Sequence, residues 1–106
     1  MAVAETDVVL RALADPTRRA VLRLVRDAEV PAGAIAARFP TMSRPAVSQH
    51  LGVLAGTGLV RVRSVGNRRL YSLSPQPPAG VVALIADLWA DDLSRLKAAA
   101  ERRARR

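Results

Sequence analysis

The apolar residues of this chain change their spacing once, and the change falls at a pair of glycines. Before Gly56 they recur at helical intervals, as in Val47, Leu51 and Leu54; after Gly58 the stretch Leu59-Val60-Arg61-Val62-Arg63 alternates, and Leu70-Tyr71-Ser72-Leu73 alternates again. A spacing of three and four belongs to an amphipathic helix and a spacing of two to a half-buried strand, so helices must here give way to a short β element. Gly56-Thr57-Gly58 ends the helix because glycine takes the left-handed backbone of a C-terminal cap. Gly66-Asn67 is the tight turn that folds the two alternating runs into a hairpin. Pro75, Pro77 and Pro78 then break the chain, and from Ala79 to about Ala100 the helical spacing returns, with Val81, Leu84, Ile85, Leu88, Trp89, Leu93 and Leu96 on one broad stripe.

Upstream of the change everything reads as helix. Val8, Val9, Leu10 and Leu13 form a short first helix. Asp15 before Pro16 is an N-cap followed by a proline in the first turn, opening a helix whose Val21, Leu22, Leu24 and Val25 face inward. Pro31 to Phe39 is a small alanine-rich helix anchored by Ile35. Ser43 caps the next helix, with Pro45 tolerated in its first turn. One unit over residues 1–106 is expected: helices at 5–14 and 79–100, a helix-turn-helix over 31–56, and a hairpin over 59–74.

The helix that begins at Ser43 has an unusual outer side. Opposite Val47, Leu51 and Leu54 lie Pro45, Ser48, Gln49 and Gly52, none of them charged. A solvated helix normally carries Lys or Glu there. A helix that enters the major groove of DNA must bring its backbone close to the bases, which favours small residues, amides and hydroxyls. Two short helices, the second plain on its outer face and followed by an Arg-tipped hairpin, give a mainly α fold with a β-hairpin wing, the winged helix-turn-helix. In it Gln49 can pair with an adenine edge, Ser48 with either base type, and Arg44 with guanine or phosphate. Arg61, Arg63, Arg68 and Arg69 would hold phosphates without reading sequence.

Charge agrees with that partner. The net charge is +8, and from Val30 to Ala86 there is no Asp or Glu, whereas Arg38, Arg44, Arg61, Arg63, Arg68 and Arg69 all fall inside this window. A composition rich in Arg and Ala explains the choice of Arg over Lys, not the acid-free middle. With no cysteine, one histidine and its carboxylates confined to the two ends, the chain has no constellation for nucleophilic or acid–base catalysis, and an enzyme is not expected. The N-terminal stretch lacks the basic and apolar regions of a secretory signal, and no apolar run approaches membrane-spanning length, so a cytoplasmic protein is expected.

ALADPTRRAVLRLV, SRPAVSQHLGVLAGTGLV and RVRSVGNRRLYSL, roughly Leu13 to Leu73, resemble the ArsR/SmtB group of bacterial transcription regulators. The run of Ser43, Ala46-Val47-Ser48, His50-Leu51 and Leu54, then Gly58-Leu59-Val60 ahead of a basic hairpin, is the specific part. The resemblance implies a homodimer, joined through its first and last helices, that binds a palindromic operator and usually represses transcription. It places Ser43, Arg44, Ser48, Gln49, His50 and the four hairpin arginines at the DNA, and Leu10, Leu13, Leu84, Leu88, Trp89 and Leu96 at the dimer interface.

One departure bears on regulation. Members of this group that sense metals use cysteines before the reading helix, or His and acidic ligands on the last helix. Here the first location reads AIAARF and the second offers only Asp87, Asp91 and Asp92, so neither a thiolate nor a mixed His/carboxylate zinc site is expected, and no cofactor. Asp87 and Asp91 as a hard-cation site are outweighed by plain solvated carboxylates. His50 divides evenly between a DNA contact and packing, Trp89 suits a subunit interface, and Arg18 and Arg19 face phosphate or solvent. Without such a metal site, regulation is expected to come from expression level, an unknown small ligand or a partner protein that does the sensing. The alternative reading is a winged-helix module acting mainly through a partner protein or a non-thiolate metal site; it calls for large apolar residues on the outer helix face, where Ser, Gln and Gly stand.

Overall fold

The computed structural model describes residues 2–105, and most of its helix boundaries follow from local chemistry. α1 (Ala2–Ala14) ends at Asp15, whose extended backbone and carboxylate start α2 (Pro16–Leu24) by accepting the Arg18 amide at 2.8 Å. Pro16 sits in the first turn, where a missing N–H has no helical partner to lose. α3 (Ala32–Ala37) is short, and α4 (Arg44–Gly56) begins where the Ser43 hydroxyl oxygen accepts the Ala46 amide at 3.2 Å. At the far end of α4, Gly58 has φ +78° and donates to the Ala55 carbonyl, while Leu59 N–H reaches back to Leu54 O, each at 3.2 Å. This pair of reversed bonds is a Schellman cap. Its customary apolar contact joins Leu54 to Leu59, both buried.

Two strands follow, β2 (Val60–Val65) and β3 (Arg68–Leu73), paired antiparallel from Val60↔Leu73 to Val65↔Arg68. The two-residue turn has positive φ at Gly66 only, the pattern of a type II′ turn, whose twist suits a hairpin. A third strand was not expected: β1 (Val30–Pro31) pairs with the other side of β3, Val30↔Tyr71 and Pro31↔Leu70, giving the order β1-β3-β2. Two residues are too few to show a period, and Pro31 is tolerated because it lies on an edge strand.

The core lies between the helices and the inner face of this sheet. Val9 and Ala12 come from α1, Val21 and Val25 from the second helical segment, Ile35 from α3, Val47, Leu51 and Leu54 from α4, and Leu59, Val60 and Tyr71 from the sheet region. Its side chains are small, with Tyr71 the one ring fully inside, while Phe39, Met42 and Leu13 pack around it.

The last segment corrects the expected single helix over 79–100. It is two helices, α5 (Ala79–Leu88) and α6 (Ala90–Ala104), separated at Trp89 with φ −125° and ψ 36°. No Gly or Pro marks the break, so apolar spacing runs through it unchanged. Trp89 N–H still closes α5 on Ile85 O at 3.0 Å, and Asp91 and Asp92 then fill the first turn of α6, where carboxylates suit the positive end of a helix. Arg18 and Arg19 also have a definite place. Arg18 donates to the carbonyls of Ala12 at 2.8 Å and Arg11 at 3.1 Å, and Arg19 to that of Leu13 at 2.8 Å, so both close the C-terminal end of α1.

Candidate nucleic-acid interface

α4 is divided lengthwise. Val47, Leu51 and Leu54 are buried, whereas Pro45, Ser48, Gln49 and Gly52 are exposed together on the other side. Gly52 is the informative residue here. A Cβ built on it meets nothing within 4 Å, so nothing in the protein's own packing requires a glycine in mid-helix, where it is worth about 1 kcal/mol less than alanine. The smallness of this face suits an approaching body outside the chain.

The wing sets its arginines on two faces. By the strand register, Arg61, Arg63 and Arg68 share the outer face and Arg69 lies on the other, all exposed. Among the described residues Arg61, Arg68 and Arg69 form no ion pair, but Arg63 does: its Nε and Nη2 donate to the two carboxylate oxygens of Glu29 at 2.9 and 2.7 Å. The hydrogen bonds from Arg63, then its charge, hold the Glu29 carboxyl below the ordinary carboxylate value, and the same pair pushes Arg63 up. As a free phosphate cation Arg63 is thus displaced by a neighbour just outside the acid-free window. Glu29 precedes β1, which flanks β3 on the side opposite β2, so the two side chains meet across the central strand.

At the hairpin tip Asn67, Arg68 and Arg69 face Arg44, the first residue of α4, across an open cleft of about 470 Å³ floored by the start of α3. Arg44 therefore belongs spatially with the wing as much as with α4. His50 is drawn the other way. Its Nδ1 lies 3.2 Å from the Arg18 guanidinium and 3.9 Å from the Asp15 carboxylate, so the half-buried ring ties α4 to the start of α2. Asp15 itself is held below the ordinary carboxylate value, first by the Arg18 backbone amide and then, against some opposing desolvation, by the charges of His50 and Arg18.

Residues 13–63 match a family of helix-turn-helix domains. The chain is 46% identical over 78 residues to the HTH-type transcriptional regulator Rv2034 of Mycobacterium tuberculosis, covering 74% of this chain and 69% of that protein. It is 36% identical over 66 residues to the transcriptional repressor SdpR of Bacillus subtilis, 62% of this chain and 72% of that one. The solved structure of the ArsR family transcriptional regulator RHA00566 superposes with a TM-score of 0.73 at 30% identity, over 83% of this chain and 93% of that chain. The chain belongs to the ArsR family. It is a DNA-binding transcriptional regulator with a winged helix-turn-helix fold, and its relatives are regulators, not enzymes.

In this ArsR-family regulator two sets of expected residues remain to be placed. Leu88, Trp89 and Leu96 are 61%, 53% and 66% exposed, and Leu10 and Leu84 are exposed too, whereas Leu13 packs against the core. α5 has no buried residue at all. Among the described residues no group of three or more His, Cys, Asp or Glu is placed to hold a metal, and Asp92 pairs with Arg95. Among them, too, no helix is long and apolar enough to cross a membrane.

Proposed function

We propose that this regulator is a homodimeric repressor whose two α4 helices read an inverted-repeat operator in successive major grooves, about 10 bp apart. The observation that carries this is the exposed, uncharged face of α4 with a glycine that internal packing does not require. Gln49 offers paired donor and acceptor to an adenine edge, and Ser48 bonds an adjacent base. The Ser43 oxygen caps α4, leaving its proton for a phosphate. Arg44, Arg68 and Arg69 surround one backbone segment and Arg61 takes another, while Arg63 enters as a neutral pair with Glu29. His50 serves chiefly to fix the angle of α4.

The dimer is supported by the exposed row of Leu10, Leu84, Leu88, Trp89 and Leu96 on α1, α5, α6 and the break between the last two. Contiguous large apolar side chains of this kind mark a protein interface. Repression is the sign named for SdpR, and it suits a compact dimer that competes for promoter DNA. The missing metal ligands favour control by a small ligand or a sensing partner protein.

Selection of bound duplexes from a random pool, with and without divalent metals, tests the reading. An inverted repeat indifferent to metal is expected; only salt-sensitive binding without sequence enrichment would overturn the role of α4. Leu88→Asp should shift the protein to monomer in sedimentation and lower DNA affinity with it. Transcription in vitro from a promoter carrying the selected site should fall on adding protein, and a rise would refute repression.

A further inference from the structure

The cleft at the hairpin tip is edged by cations from two distant parts of the chain. Arg44 is the first residue of α4, Arg68 and Arg69 open β3, and Asn67 adds a neutral amide from the turn, around an open space of about 470 Å³. No carboxylate lines it, and among the described residues none of the three arginines forms an ion pair. Its floor is small and mostly apolar: Pro31, Ala32, Gly33 and Ala34. A Cβ built on Gly33 meets nothing within 4 Å, so the floor is bare there and the chain's own packing does not require a glycine. The space is on the scale of small-molecule sites. Three guanidinium charges also exceed what one backbone phosphate of DNA brings, since a diester carries a single negative charge. A phosphate monoester carries about −1.5 to −2 at neutral pH and presents three acceptor oxygens, which planar guanidinium forks match.

We infer that this cleft is an effector site for a small organic phosphate monoester, its phosphate group taken by Arg44, Arg68 and Arg69 and its organic part laid over the floor of residues 31–34. A second copy of the chain does not fit. The exposed apolar row read above as the subunit interface lies on α1, α5, α6 and the break at Trp89, none of which borders this cleft, and a chain of net charge +8 is repelled by three cations at its edge. The same three arginines are the ones assigned to one backbone segment of the operator, so monoester and DNA exclude each other and the ligand releases the regulator. This release rests on the operator-binding reading above, whereas the binding of the monoester does not.

The test titrates the full chain, without DNA, with phenyl phosphate in a calorimeter at about 150 mM chloride, where general attraction between exposed charges is largely screened. Saturable binding at one site per subunit is expected. Methyl phenyl phosphate, the diester with the same ring and one charge, should bind about tenfold more weakly or worse, and inorganic phosphate, which leaves the floor uncovered, more weakly too. Arg44→Ala and Arg69→Ala should each cost about tenfold or more, the scale of a hydrogen bond between charged groups. Arg38→Ala removes an exposed cation outside the cleft and should leave the affinity unchanged. Gly33→Glu sets a carboxylate among the three cations and should abolish binding; its side chain enters open space, and circular dichroism checks that the fold is kept. No saturable binding, equal affinity for the diester or for inorganic phosphate, equal loss in Arg38→Ala and Arg44→Ala, or a folded Gly33→Glu protein that binds normally would overturn the site. Saturating phenyl phosphate should then lower affinity for a random-sequence duplex about tenfold or more, and by linkage the duplex must lower phenyl phosphate affinity by the same factor. Duplex affinity untouched by bound phenyl phosphate would overturn the release and leave the operator reading intact.

Discussion

The salt dependence of DNA binding separates the wing arginines sharply. Among the described residues Arg68 and Arg69 form no ion pair, and they border the same cleft as Arg44, whereas Arg63 is held by both oxygens of Glu29. Each phosphate contact contributes about 0.9 to the slope of log K against log salt, so replacing Arg68 and Arg69 with Ala in both subunits of the proposed dimer, four contacts, should flatten it by about 3.6. Between about 50 and 200 mM salt, a fourfold change, the wild type should then lose about 150-fold more affinity than the double variant. The comparison is Glu29→Ala with Arg63→Ala together, which deletes the pair and leaves the net charge unchanged. Its salt plot should run parallel to that of the wild type, measured by fluorescence anisotropy on a labelled duplex. A slope flatter by about 1.8 for the pair deletion would mean that Arg63 leaves Glu29 for a phosphate on binding, and the sorting of the arginines would fail.

Other outcomes follow from single features. Gly58→Ala places a Cβ on a residue with φ +78° and should cost about 1 kcal/mol or somewhat more in urea unfolding; a neutral result would contradict the cap assignment. Asp15→Ala should cost about 1 kcal/mol at neutral pH through loss of the α2 cap. Because the folded-state pKa of Asp15 is depressed, its contribution is complete above the ordinary carboxylate value and disappears as pH falls through the lower folded value. The gap between Asp15→Ala and wild type should accordingly close in acid, and a gap that widened there would reverse the sign of the linkage. Gln49→Ala should relax base preference at one position per half-site by about 1–3 kcal/mol without altering the salt slope, as read by competition among single-base variants of the selected site.

What could be read from the residues was whatever is local or periodic. The buried stripe Val47, Leu51, Leu54, the caps at Asp15 and Ser43, and the hairpin turn all depend on neighbours within a few positions, so their spacing carries them. Four features escape that spacing. β1 is two residues long and exists only because β3 has a free side. The Glu29–Arg63 pair joins residues 34 apart in sequence across that strand, and counting acids from Val30 onward stops one position short of it. Arg18 and Arg19 find carbonyls of the preceding helix, which composition alone cannot distinguish from phosphates. The break at Trp89 has no breaker residue, and the stripe from Val81 to Leu96 conceals it.

The three-stranded sheet leaves β2 as its long open edge, since β1 at the other side is only two residues and passes directly into α3. Edge strands rich in β-branched residues invite another strand to add, and β2 reads VRVRSV with Val62 and Val65 both exposed. What stands against self-association is the positive charge of Arg61, since two such edges brought together repel. Neutral substitutions made here to abolish DNA binding will also remove that protection, and the variants should precipitate at concentrations the parent tolerates. The Arg61 guanidinium offered to a polyanion in one state of the protein thereby keeps its bare sheet solitary in the other.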